Sequence, residues 1–258
     1  MKLRYPAEAF ALGIILFSAG MKEAFAAGIL VILTAVFAEF LKDLLENAVP
    51  AWSLTLCVLI ASGVFCASAC QIGFAYLGLP LSVGTWLMSL IVGLLCARHA
   101  LSGNIENEYG ELFFESAVAW GFWILLAIIR EFMGSGTIFG NPVFQNPIQS
   151  KIFLESTFAF LTAGLVLAFT NDFLKKNCRG FNSLLVVIPT AVFIRPFTIS
   201  SFTGFAEYLG ISWTIIVPIL LFLSVKQTLK FSQPGKAYRG LPTDLIAAGF
   251  IYMILSIY

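Results

Sequence analysis

Residues Glu115 to Phe132 read ESAVAWGFWILLAIIREF. A glutamate opens the run, mostly apolar residues follow, and Glu131-Phe132 closes it. In a helix rising 1.5 Å per residue, Glu115 and Glu131 lie about 24 Å apart, a little less than the ~30 Å hydrocarbon core of a bilayer. The run therefore predicts a spanning helix with a carboxylate near each surface. A second stretch has the same frame: Glu23 to Phe40 reads EAFAAGILVILTAVFAEF, again with glutamates at both ends and a glycine near the start, Gly28 here and Gly121 there. Three apolar segments separate the two copies in register, so the copies run in opposite directions. That is the signature of an inverted-topology repeat of three helices plus three.

Composition agrees with a lipid solvent. The chain of 258 residues is 59% hydrophobic and only 11% charged, with a mean hydropathy of +0.93. Soluble domains carry about 25% charged residues and could not hide this much apolar surface. A net charge of +1 gives no basic patch for nucleic acid. Four of the five cysteines, Cys57, Cys66, Cys70 and Cys96, fall in apolar runs, which is not a secreted disulfide framework.

The hydropathy pattern predicts an all-α polytopic protein with nine apolar segments: residues 8–21, 24–45, 52–77, 80–99, 112–133, 152–174, 182–202, 210–227 and 242–258. The first is short enough to be a half or tilted helix. Residues 8–176 form a six-helix unit, and 180–258 add a three-helix extension. Pro6 and Glu8 break the N-terminus as a signal peptide, so it reads as a first membrane segment. If the N-terminus is cytoplasmic and the segments alternate, the inner face holds Lys2, Arg4, Lys42, Arg98, Lys175, Lys176, Arg179, Lys226, Lys230, Lys236 and Arg239 of the 15 basic residues. The positive-inside rule favours that orientation.

Carboxylates in lipid are costly unless paired or wet, so the four glutamates have two readings. They are interfacial anchors, or they are acid mouths to a central pathway. In the second reading the ion-pathway candidates are Glu39 and Glu131, with Arg130, Glu23, Glu115 and Arg195. Arg130 can compensate its neighbour Glu131. Adjacent helical residues point about 100° apart, however, so each can pair with another helix instead. Arg195-Pro196 interrupts the seventh segment, with Glu207 as a candidate ion-pair partner. Gly134-Ser135-Gly136 lacks the lysine of a phosphate loop, so these glycines read as a helix-end turn in the left-handed conformation. Cys66 and Cys70 share a helix face, with Cys57 on the opposite side. Packing explains them, and Cys96 is only a weak metal candidate because no tetrahedral ligand spacing exists. His99, the lone histidine, is expected at the surface. No nucleophile–base constellation is present, and no loop is long enough to hold a nicotinamide or flavin.

The stretch Ile128 to Gly140, IIREFMGSGTIFG, resembles the end of the fifth helix in the Rnf/Nqr family of six-helix membrane subunits, where Arg-Glu is followed by Gly-x-Gly-Thr and a bulky pair. Leu12-Gly13 and Ala24 to Gly28 are similar to the family's first and second helices. The tail from Tyr238 to Gly249, YRGLPTDLIAAG, is similar to the last helix of a paralogous subunit, with Lys226-Gln227 where that paralogue has Arg-Glu. The resemblance implies an inverted three-plus-three fold and membership of an ion-translocating oxidoreductase with other Rnf/Nqr subunits as partners. It also implies an intramembrane iron–sulfur centre held by one cysteine in the first helix and one in the fourth. Ile15 and Leu95 stand at those positions, and neither can ligate iron. The expectation is therefore a scaffold or ion path within a redox complex, without a cofactor of its own. The alternative is a stand-alone inverted-repeat transporter of an ion or small solute.

Overall fold

The computed structural model describes residues 3–79, 82–103, 109–143, 149–176, 178, 180–197, 206–228 and 236–256, with backbone only at 206–209 and 236. Nine α-helices dominate these residues: α1 Ala7–Phe17, α2 Met21–Leu45, α3 Ala51–Tyr76, α4 Val83–Ser102, α5 Tyr109–Ser135, α6 Ser156–Leu174, α7 Leu184–Phe193, α8 Ala206–Thr228 and α9 Leu241–Leu255. Two-residue strands β1 Thr137–Ile138 and β2 Asn141–Pro142 form a small antiparallel hairpin after α5, and a 3₁₀ turn covers Lys151–Leu154. The chain is an all-α protein of membrane type.

Six helices are long and apolar enough to cross a bilayer: α2 to α6, and α8 from Gly210 onward. The other three are shorter. At 1.5 Å per residue α1 and α7 reach only about 15–17 Å and α9 about 22 Å, less than the ~30 Å of hydrocarbon. Of nine expected spans, then, six have the required length. The seventh segment stops early for a local reason. Pro196 disfavours helical geometry in the residue before it, and Arg195 takes a left-handed φ of 49° just past the end of α7.

Helix α1 forms the middle of the bundle. Its sequence AEAFALGIILF has no polar face, and a helix that is apolar all round must be buried. All of its residues except Leu16 are buried, and it touches α2, α4, α6 and α7. Phe10 makes edge contacts with Tyr5 on one side and Trp123 of α5 on the other. By contrast, α3 exposes Trp52, Leu56, Ile60, Val64 and Ile72, a lipid-facing stripe.

Small residues let the helices approach, since lipid gives helix association no hydrophobic drive. A Cβ placed on Gly164 of α6 would lie 2.9 Å from the Pro242 carbonyl oxygen of α9. One placed on Gly249 of α9 would meet Leu161 of α6 at 3.0 Å. Helix α9 is thus packed directly along α6. The α3–α4 seam is tighter still, because a Cβ on Gly93 would lie 2.4 Å from the Ser62 carbonyl oxygen and 2.8 Å from the Gly63 Cα. Backbone cannot rotate away, so Gly93→Ala is expected to destabilise the fold by about 1–3 kcal/mol. Gly121→Ala, in open space with nothing within 4 Å, is the control and should leave stability unchanged or raised. Thermal unfolding of both variants in detergent checks the pair, and equal midpoints would contradict the packing.

Candidate functional site

The charged residues gather at the two ends of α5, and these ends hold α1 in place. Arg4 and Tyr5, in the extended segment before α1, donate their backbone N–H groups to Glu115 Oε2 at 2.7 and 3.3 Å. Met21, opening α2 beyond α1, donates its N–H to Glu131 Oε2 at 2.7 Å. Helix α1 therefore runs parallel to α5, between its two glutamates. The physical need is clear. A short helix leaves extended backbone at both ends within apolar depth, where unsatisfied N–H groups are costly. Each carboxylate supplies acceptors there.

The sequence motif Arg130 to Gly140 explains itself locally. Gly136, at φ 68°, is the left-handed residue that ends α5. Gly134 is not part of that turn. It lies within the last turn of α5, and a Cβ there would sit 2.4 Å from Leu154 Cγ, so its role is close packing against the 3₁₀ turn. The hairpin that follows turns through Phe139 and Gly140, at φ 58° and 76°, the geometry of a two-residue hairpin with both central residues at positive φ. Glu131 Oε1 pins it, accepting from the Gly140 N–H at 2.8 Å and the Thr137 hydroxyl at 3.0 Å.

Arg130 and Glu131 do not pair with each other. Arg130 is 2% exposed. Its guanidinium donates to the carbonyls of Phe153, Leu154 and Glu155 at 2.5, 3.0 and 2.6 Å, and to the hydroxyl of Ser18 just after α1. Glu23 is half-buried in the first turn of α2 and lies within electrostatic reach of Glu131 and Arg130.

At the opposite end, Lys176 donates to Glu115 Oε1, so that carboxylate is fully engaged. Glu8 accepts from the Asn182 N–H at 2.6 Å and from Arg98 at 3.3 Å, which ties the approach to α7 onto α1. His99 is partly buried rather than on the surface, its Nε2 2.7 Å from the Arg4 carbonyl oxygen. Ser183 donates to Asp244, while Lys226 donates to Ser183 and pairs with Asp244 at 3.0 Å, linking α7, α8 and α9.

Glu39 differs from the other acids. It is 2% exposed, and neither carboxylate oxygen has a hydrogen-bond partner among the described residues. Its nearest cation is Lys42, 4.0 Å away, and that ammonium donates to the Gly103 carbonyl oxygen at 2.6 Å. Asp43, one turn beyond Glu39, accepts from the Tyr109 hydroxyl of α5. On α5, Ser116 lies two turns past Tyr109 on the same face, buried and with its hydroxyl unpartnered. Trp120 follows, its ring against Gly28 of α2 and its Nε1 also unpartnered. The α2–α5 seam thus carries a line of unsatisfied polar groups inward from Glu39. The sequence gives only a weak signal for this line, the spacing of Tyr109, Ser116 and Trp120.

Arg195 is exposed and, among the described residues, donates to the nearby Val192 carbonyl oxygen, so it is not brought to this seam. Its expected partner Glu207 lies outside the described side chains. Ile15 and Leu95 are buried in the apolar core at 3% and 6% exposure. The family's cluster positions therefore offer no donor atom, and the residues do not fit an iron–sulfur centre. Cys66, Cys70 and Cys96 are buried and Cys57 exposed. Among the described residues no three His, Cys, Asp or Glu side chains are placed to hold a metal ion. Cys178, in the loop after α6, hydrogen-bonds Asn171, and burial pushes its thiol up to about 12. It is an inert structural thiol.

Compared with known protein families, curated proteins and solved structures, the chain matches none of them.

Proposed function

We propose that this chain is an integral membrane subunit of an ion-translocating, Rnf/Nqr-type electron-transport complex, contributing scaffold and an ion path along the α2–α5 seam rather than carrying electrons. It lies in a bacterial inner membrane with its N-terminus cytoplasmic. The observation that carries the reading is Glu39, a buried carboxylate with no hydrogen-bond partner among the described residues and with Lys42, 4.0 Å away, as its counter-ion. An ionisable group kept in that state within a membrane-spanning helix is a functional residue by default, since structure alone would pair or remove it. Two of the other glutamates of the two similar stretches have other work, because Glu115 and Glu131 hold backbone N–H groups. In this reading the inverted repeat supplies one working acid and one pair of clamps. The electron-carrying role falls away with Ile15 and Leu95.

A second reading has its own support. Helices α1 and α7 are both too short to cross a bilayer, as the discontinuous helices of many transporters are. Helix α9 also occupies a face of α6. On this reading the chain transports an ion or small solute alone.

Reconstitution in vesicles separates and tests them. Flux that needs co-purified flavin- or cluster-bearing subunits supports the complex, and flux by the chain alone supports the transporter. In either case Glu39→Gln is expected to reduce flux to that of protein-free vesicles while the protein stays folded. Unchanged flux in a folded Glu39→Gln protein would refute the path.

A further inference from the structure

We propose that the species bound at Glu39 is a proton rather than a metal cation, with Lys42 as its counter-ion and as the link to α4. This deepens the ion-path reading and rests on it.

The argument is one of coordination. A hard metal cation replaces its hydration shell with several oxygen ligands. Among the described residues, two oxygens of the Glu39 neighbourhood already take donors. The Gly103 carbonyl takes the Lys42 ammonium at 2.6 Å, and Asp43 takes the Tyr109 hydroxyl. The ammonium 4.0 Å from the carboxylate also repels any second cation. A proton needs one oxygen and no shell. It leaves Glu39 as a neutral acid, the form that a dry position holds at least cost.

The groups facing Glu39 are consistent with this. Its own helix presents Lys42 and Asp43, and the segment before α1 presents Arg4. Helix α5 presents Tyr109, with Glu115 further along and paired to Lys176. On α4, Arg98 pairs with Glu8 and His99 bonds the Arg4 carbonyl, so among the described residues the end of α4 supplies the Gly103 carbonyl. With Glu39 protonated, Lys42 stays on Gly103 and ties α2 to α4. With Glu39 ionised, the carboxylate draws the ammonium toward itself and loosens that tie. Uptake and release of one proton would then be coupled to the α2–α4 contact.

The test is labelling of the purified full-length chain with a hydrophobic carbodiimide, mapped by mass spectrometry. The reagent forms an adduct with protonated carboxyls in apolar surroundings: the acid proton goes to its nitrogen and the carboxyl oxygen bonds its carbon. Glu39 is expected to label, to label less as pH rises, and to be indifferent to excess Na+, Li+ or K+ at fixed pH. In Lys42→Met, labelling at a fixed pH should rise severalfold, because the ammonium that favours the ionised form is gone. Protection by Na+ at constant pH, or absence of labelling across the pH range, overturns the proposal, and neither outcome depends on a variant folding. The two readings fail separately. Na+ protection together with Na+ flux lost in Glu39→Gln keeps the path and removes the proton. Proton-dependent labelling with flux unchanged in Glu39→Gln keeps the proton and removes the path.

Discussion

Arg130→Met is expected to lower folding stability by about 3–5 kcal/mol, among the largest effects of any single substitution in this chain. Four acceptors lose their donor at once: the carbonyls of Phe153, Leu154 and Glu155, and the Ser18 hydroxyl. Hydrogen bonds to a charged donor contribute about 1.5–3 kcal/mol each and are not additive within one group. No water replaces them at a buried position. The carbonyls lie in the 3₁₀ turn against Gly134 and the hydroxyl lies at the end of α1, so the loss frees three elements together. Arg130→Lys should recover only part of the stability, because an ammonium is a point charge and cannot match the planar fork. Chemical unfolding in detergent measures both. If Arg130→Met unfolds like the parent but abolishes ion flux in vesicles, Arg130 belongs to the path and its structural role is wrong.

The sequence made the membrane character and most helices readable because burial in lipid needs only length and apolarity. The run from Glu115 to Phe132 is helical throughout, and the Gly136 turn follows from its neighbours alone. What hydropathy could not separate was a span from a buried half-helix. AEAFALGIILF is apolar enough for either, and only its length and the carboxylates that receive Arg4, Tyr5 and Met21 place it inside. The charged pairs were harder. Arg130 and Glu131 are adjacent in sequence, but helical geometry sends them to different neighbours, and most of those neighbours are backbone groups that carry no sequence signal. For the same reason the four glutamates looked equivalent. Their difference lies in which backbone N–H groups reach them. Glu39 became distinct only once Glu115 and Glu131 were seen to be engaged.

The Glu115–Lys176 pair gives the second large effect, and it is asymmetric. Both side chains are buried, at 4% and 9% side-chain exposure. In Glu115→Gln the amide oxygen can still accept from Arg4 and Tyr5, but Lys176 is left as a buried cation without its anion. Breaking a buried pair from one side in this way costs about 3–5 kcal/mol. In Lys176→Met the carboxylate keeps two N–H donors, so the expected loss is smaller, about 1–3 kcal/mol. The double variant leaves no unpaired charge and should lose less than the sum of the singles, with a coupling of about 1–3 kcal/mol. Unfolding of the four proteins in detergent closes this cycle. Additive losses would mean that Lys176 does not depend on Glu115, and that the end of α6 is held to the start of α5 by some other contact. A coupling of the expected size would show instead that the same carboxylate fastens the segment before α1 and the segment after α6 to α5. That arrangement makes Glu115 a structural acid, and it leaves Glu39 as the buried acid of this end with no fastening role.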